Sequence, residues 1–171
     1  MTMKLLDDHH VVSGWAPVDV NGGLSSDYVS LKNYNRVTVL LSFGLITVGS
    51  DADIVLTASD DVAATHTVAL NNYKYRKSPG TTASDTFAAE ATIADSKIDL
   101  VAGGEITCDD DGCIVAIELT GADLKAAGTS YVYDCIKVAI GNPGQPVLCS
   151  CLFILSDARY AADTLPSAII D

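Results

Sequence analysis

The sequence predicts an all-β protein: one β-sandwich or jelly-roll-like barrel with a short helix and extended N- and C-terminal arms. Three observations predict it. Apolar residues recur at every second position, the period of a strand with one buried face. Clusters of Gly, Pro, Asp and Asn interrupt the apolar runs about every 8–12 residues, the spacing of short antiparallel strands. The hydrophobic share, 49% of 171 residues, comes mostly from Ala, Val, Ile and Leu, in runs well short of the roughly 18 that cross a bilayer. A chain of this length makes one domain with an adequate core, and neither a repeat nor a linker divides it.

Residues 1–30 precede the first strong strand and read as an N-terminal arm or edge segment. DYVSLKNYNRVTVLLSFG passes from polar residues into a β-branched strand over residues 37–43. GSDADIVLTASDD sets Ile54, Val55 and Leu56 between acidic turns, and THTVALNNYKY alternates with Val68 and Leu70 on one face. SKIDLVAGGEITCDDDGCIVAIELT supplies two or three more strands. YVYDCIKVAIGNPG and QPVLCSCLFILSD supply two further ones, parted by the turn GNPGQP. The expected total is about seven to nine strands. The helix is expected over residues 120–128, with Asp123 in a capping position and Gly128 as the stop. The Ala-rich run 84–97 is a second candidate for a short helix, after the loop SPGTTAS. Residues 157–171 read as a C-terminal arm.

The formal net charge is −12, from 22 acids and 10 bases. Such a surface repels phosphate backbones, so nucleic acid is not an expected partner, and no apolar run suggests a membrane. The start, MTMKLLDDHHVVSGW, lacks the apolar stretch of a secretory signal, so synthesis in a cytoplasm is expected. The one basic patch is YKYRK: Tyr73, Lys74, Tyr75, Arg76 and Lys77. Exposed tyrosines between cations combine stacking with phosphate contact. In a strand the same residues make a solvated edge, and on an acidic protein they offer a dock for an acidic partner.

The five cysteines, Cys108, Cys113, Cys135, Cys149 and Cys151, are an odd number. A reducing cytoplasm keeps them as thiols, whereas oxidation outside the cell leaves at least one for an intermolecular bond. In ITCDDDGCIVAIEL a calcium loop would need oxygens at alternate positions, glycine sixth and glutamate twelfth. Asp109, Asp110 and Asp111 are adjacent, Gly112 comes early and Thr120 stands twelfth. Zinc would need a second cysteine pair of similar spacing or nearby histidines, and CSC is too tight. A hairpin fits better. Asp109 to Gly112 make a four-residue turn with Gly112 at positive φ, and Cys108 and Cys113 close it within reach of a disulfide after small adjustment. Cys149 and Cys151 share one face of their strand, either as buried thiols or with Cys135 on a neighbouring strand as partner.

Nucleophilic catalysis needs a base beside the nucleophile and a group that orients it. His9, His10 and His66 are the only histidines, and no G-x-S-x-G, H-E-x-x-H or P-loop occurs. Carboxylate pairs of a glycosidase leave no local signature, but one Trp and three Phe make a poor sugar platform. The sequence therefore predicts no enzyme, no cofactor and no metal.

The two ends are less generic. In VDVNGGLSSDYVSLKNYNRVTVLLSFG a polar segment of the form D-(Y/W)-(V/I)-S-L-K-N-Y leads into an apolar strand. CLFILSDARYAADTLPSAIID reads L-x-I-L-S-D-x-R-Y, then P-S-A-I-x-D. In order and spacing these stretches, roughly a quarter of the chain, resemble the capsid decoration (cement) proteins of tailed bacteriophages. The resemblance implies a compact β-domain on the capsid exterior of the virion, assembled in the host cytoplasm, commonly as a homotrimer. Its implied partners are the major capsid protein and other copies of itself, and it brings no catalytic residue. Under it, Arg159 and Tyr160 become candidate contact residues, Tyr73 to Lys77 a second docking patch, and Arg36 a lesser candidate. An odd thiol would staple subunits after release from the cell. A phage neck or tail component is an alternative of the same kind, and a soluble β-sandwich carbohydrate-binding module is one of a different kind.

Overall fold

A computed structural model describes residues 8–46, 50–78, 86–93, 95–101, 106, 112–159 and 167–169. Among these residues twelve strands and one helix form a sandwich of two antiparallel sheets. The strands are β1 (His10–Asp19), β2 (Leu24–Ser25), β3 (Val29–Ser30), β4 (Tyr34–Phe43), β5 (Asp51–Ser59) and β6 (Thr67–Ala69). There follow β7 (Tyr73–Lys77), β8 (Ala91–Ile93), β9 (Lys97–Val101), β10 (Cys113–Thr120), β11 (Cys135–Ile140) and β12 (Leu148–Ala158). The helix α1 (Gly121–Ala126) lies between β10 and β11. The first sheet has the order β1-β12-β4-β10-β7-β8; the second has β2-β11-β5-β6, with β3 also on β11 and β9 also on β5. The count exceeds the sequence expectation because β2, β3, β6 and β8 are only two or three residues long, too short for an alternating pattern to register.

The core follows from period-two alternation. Val37, Val39, Leu41 and Phe43 of β4 point inward beside Cys149, Cys151, Phe153 and Leu155 of β12 and Val115, Ile117 and Leu119 of β10, all buried. Ile54 and Leu56 of β5, Ile98 and Leu100 of β9, and Ile136, Val138 and Ile140 of β11 face them from the second sheet. Each such side chain contributes about 1.5–3 kcal/mol on burial.

Within the first thirty residues, β1 is an edge of the first sheet, paired to β12 from His10↔Leu155 to Asp19↔Leu148. Two register shifts flank Trp15, which breaks the sequence alternation there. At the other end Ala168 is buried, and its carbonyl accepts a hydrogen bond from the Ser30 N–H at 2.6 Å. The described tail residues thus pack on β3 instead of extending from the domain.

The helix forms where expected, with a different division of labour. Thr120 is the N-cap; its hydroxyl accepts from the Asp123 N–H, and the Asp123 carboxylate accepts from the Thr120 N–H at 2.7 Å. This is a capping box. Gly128 is needed for space: a Cβ there would stand 2.7 Å from the Tyr133 ring. The second helical candidate, over residues 84–97, does not form among the described residues. Residues 86–90 have no regular structure, and β8 pairs with β7 through Tyr73↔Ile93 and Tyr75↔Ala91. Phe87 and Ile93 are the only large apolar residues of that run, so a helix would have no apolar stripe to bury, and pairing with β7 outweighs alanine propensity.

Candidate interaction surfaces

The outward face of the first sheet is unusually apolar at its centre. Cross-strand register aligns Ser13, Leu152, Leu40, Ala116 and Arg76 across five strands. The adjacent row aligns Val11, Ile154, Thr38 and Glu118, and Ile114 stands opposite Ser42 on the other side. Leu152 is 40% and Ile114 41% exposed, while Leu40, Ile154 and Ala116 are half-buried. Charges border the strip: Arg36 with Asp157 at 3.9 Å, and Lys74 and Arg76 with Glu90 at 2.6 and 3.9 Å, beside Glu118. The ammonium of Lys74 holds the Glu90 carboxyl below the usual range. A groove of about 540 Å³ lies over this border, floored by Leu40 and Ala116 and walled by Phe87, Lys74 and Arg76. The sequence reading missed this face. Its signal was present in VTVLLSF and CLFIL, which are apolar at both parities, as strands covered on both faces are.

The outward face of the second sheet is different in kind. Asp51, Asp53 and Asp99 stand with Lys97 and Lys137 among Thr57, Ala139 and half-buried Val55. Lys97 bridges Asp53 at 3.0 Å and Asp99 at 3.5 Å, and the hydrogen bond to Asp53 raises its pKa.

The basic patch is a strand with its two parities separated. Tyr73 and Tyr75 are buried at 4% and 7% exposure, whereas Lys74 and Arg76 point outward. No pair of exposed rings is available for stacking, so the expectation that the tyrosines touch a partner is corrected; the cations are solvated as the plainer reading has it, but on an interior strand between β10 and β8, not on an edge. A second cavity of about 400 Å³, between β7, β10 and α1, is lined by Asn71, Asn72, Lys74 and Glu118. Tyr73, 4% exposed, borders it.

Arg159 is exposed, but it holds the fold. Its N–H donates to the Asn33 carbonyl at 2.9 Å and its Nε to Asn35 Oδ1 at 3.1 Å. Tyr160 lies outside the described residues, as do Cys108 and Asp109 to Asp111 of the cysteine loop. Gly112 has φ +81°, a conformation that favours glycine.

Cys135, Cys149 and Cys151 are buried thiols. The pairing considered for Cys135 does not form: β11 belongs to the second sheet and β12 to the first, so the two are not the neighbouring strands that pairing requires. Burial pushes the Cys149 and Cys151 thiols up to about 12, so they stay protonated and inert. Being buried, these three cannot staple neighbouring subunits in the folded chain. Cys113 is not among the free thiols.

His66 precedes β6, and its Nδ1 lies 2.6 Å from Asp60 Oδ2 while its backbone N–H donates to Asp60 Oδ1. These hydrogen bonds hold the Asp60 carboxyl below the usual range. The imidazole stacks on Tyr131 with centroids 3.6 Å apart. The nearby Ser59 hydroxyl donates to the His66 carbonyl, away from the ring, so the cluster is built as a latch for the β5–β6 loop. Among the described residues no group of three or more His, Cys, Asp or Glu side chains gathers to hold a metal, and no helix is long and apolar enough to cross a membrane.

No family model matches the chain, and no curated protein matches it. Among solved structures it is similar to the crystal structure of the SPBc2 prophage-derived protein YomS, with a TM-score of 0.42 and 10% sequence identity over 86% of this chain and 93% of that one.

Proposed function

We propose that this chain is a structural virion protein that binds the outside of a phage capsid and stabilises the shell. The observation that carries this reading is the position of the two stretches that resemble phage decoration proteins. Far apart in sequence, they meet as the β4–β12 ladder and the corner beside it. Arg36 bonds Asp157, Asn33 and Asn35 bond Arg159, and Ser30 bonds Ala168. A resemblance spanning both is therefore a resemblance of one folded unit, not of two unrelated segments. Two further features suit the role. A sandwich held by a continuous core is a stiff body to place on a lattice, and a net charge of −12 keeps a particle carrying many copies soluble. The major capsid protein and further copies of the chain, as a homotrimer, are the proposed partners.

The test is to mix the purified chain with shells of its phage that lack it. Co-sedimentation saturating at a fixed fraction of the capsid subunits, with a raised shell disruption temperature, is the expected result. Saturation at a few copies per particle would move the reading to a neck or tail component. Failure to sediment, with saturable binding to a glycan array, would replace it with the carbohydrate-binding module.

A further inference from the structure

We propose that Asn21 is a site of spontaneous deamidation through the nitrogen of Gly22, and that the side chain of Asn142 restrains the reaction. This concerns the chain alone and does not rest on the virion reading. Of six asparagines, Asn21 alone is followed by glycine. The others precede a residue whose side chain crowds the attacking nitrogen or, at Asn142, a proline without an N–H. Asn21 and Gly22 are exposed in the turn from β1 to β2, which closes as the Gly23 N–H donates to the Val20 carbonyl at 2.9 Å. Gly22 has φ +114°, as the third residue of a type II turn requires, and a Cβ there would have nothing within 4 Å. The turn is therefore open on the side where the ring must form.

The chemistry needs only water. The Gly22 nitrogen gives its proton to solvent and attacks Asn21 Cγ; the N–Cγ bond forms, the Cγ–Nδ2 bond breaks, and the amide takes up a proton and leaves as ammonia. Water then opens the succinimide at either carbonyl. The product at residue 21 is aspartate or, with the main chain rerouted through Cβ, isoaspartate. The restraint is visible in the hydrogen bonds. The Gly22 N–H donates to Asn142 Oδ1 at 3.1 Å, which holds the proton that must leave and ties the nucleophile to another residue. Asn142 is held in turn, because its Oδ1 also accepts from the Gly144 N–H at 2.9 Å. Asp19 braces the same two turns: its Oδ1 accepts from the N–H groups of Asn21 and Val147, at 3.0 Å each. Deamidation adds a carboxylate beside Asp19 in a chain already at −12. The isoaspartyl form also lengthens the turn by a methylene, which works against both braces.

The test is to age the full chain in mildly alkaline buffer and follow it by peptide mapping, mass spectrometry and isoaspartyl labelling. The variants are Asn142→Ala, Asn142→Asp and the blocked control Asn21→Gln. Far-UV circular dichroism and the urea midpoint verify folding; residue 142 is exposed, and Asn142→Gly serves if the alanine variant fails to fold. In wild type the mass gain of an amide-to-acid change should appear first on the peptide that holds Asn21, and Asn21→Gln should abolish it there. Asn142→Ala should convert about 2- to 12-fold faster, the population ratio that one net hydrogen bond sets. Asn142→Asp keeps an acceptor and should run no faster than wild type. First conversion at any other asparagine would overturn the proposal. Equal rates for Asn142→Ala and wild type, or equal acceleration by alanine and aspartate, would remove Asn142 as the restraint and overturn it as well.

Discussion

Gly112 is the position where a single methyl group should do most damage, and the structure separates two reasons for it. Its φ is +81°, a conformation that costs a residue with a Cβ about 1–2 kcal/mol. A Cβ there would also come 2.2 Å from the Phe43 carbonyl oxygen and 3.2 Å from the Gly44 Cα, both backbone atoms that no rotamer change can move. Phe43 is held on both sides, paired to Cys113 of β10 and Cys149 of β12, so relief means shifting the central ladder. Overpacking of this sort costs about 1–3 kcal/mol. Gly112→Ala should therefore destabilise by roughly 2–5 kcal/mol, a Tm lowered by about 4–20 °C.

Gly144 isolates the first term: its φ is +70°, but a Cβ there has nothing within 4 Å. Gly144→Ala should lose only the conformational part, about 1–2 kcal/mol, and Gly144→Asn should recover some of it because asparagine tolerates this region. Gly112→Asn should recover little, since its Cβ meets the same carbonyl. Urea unfolding with an unchanged m-value reads all four variants. Equal midpoints for the two alanine variants, or rescue by asparagine at residue 112 as complete as at 144, would refute the close-contact reasoning.

Four further outcomes follow from the same geometry. Thr120→Ala removes the hydroxyl of the capping box and should lower stability by about 1 kcal/mol, while Thr120→Ser retains most of it; urea midpoints measure both. Tyr75→Ala should cost about 3–5 kcal/mol, as truncation of a buried aromatic does, whereas Lys74→Ala should leave the midpoint within error; the reverse ranking would put the tyrosines outside. Burial raises the Cys149 and Cys151 thiols from 9.0 to about 12, so the unfolded chain releases these protons first. Stability should fall as pH rises from about 9 toward 12, with raised Tyr28 and Tyr34 acting in the same sense; Cys149→Ala and Cys151→Ala should flatten the decline in an alkaline unfolding series. Peptide mapping without reductant should find Cys108 linked to Cys113 within one chain, and Cys135, Cys149 and Cys151 open to alkylation only after unfolding; Cys113 joined to another chain would defeat that pairing.

What the sequence disclosed depends on how strictly a segment alternates. CIVAIELT alternates throughout, and β10 buries Val115, Ile117 and Leu119 as the pattern demands. Tyr73 and Tyr75 follow the same rule: their parity in YKYRK, not their residue type, decides that they are buried. β1 is not legible as a strong strand because Gly14 and Pro17 interrupt its pattern near the register shifts at Trp15. The glycine has a tertiary reason: a Cβ at Gly14 would sit 2.8 Å from the Cys151 sulfur, a contact between residues 137 positions apart. For the same reason the partner of Arg159 was not legible. A terminal arginine beside a tyrosine resembles an exposed anchor until the chain folds Asn33 and Asn35 against it.

The placement of the resembling stretches also bears on where partner contacts can lie. Their polar residues hold the corner: Arg36 with Asp157, Asn35 with Arg159, Ser30 with Ala168. Their inward apolar residues, Val39, Leu41 and Phe153, fill the core. Both sets have their work within the chain, and a side chain engaged there is a poor choice for an anchor on another molecule, because binding would have to replace bonds already made. Leu40, Leu152 and Ile154 are the exception. They sit on the same two strands, at the opposite parity, facing away from the core. Apolar side chains at such positions favour association over solubility, and serines like Ser42 and Ser150 show that the same strands carry polar residues outward elsewhere. Contact residues should therefore be sought on this outward strip before the ends of the chain.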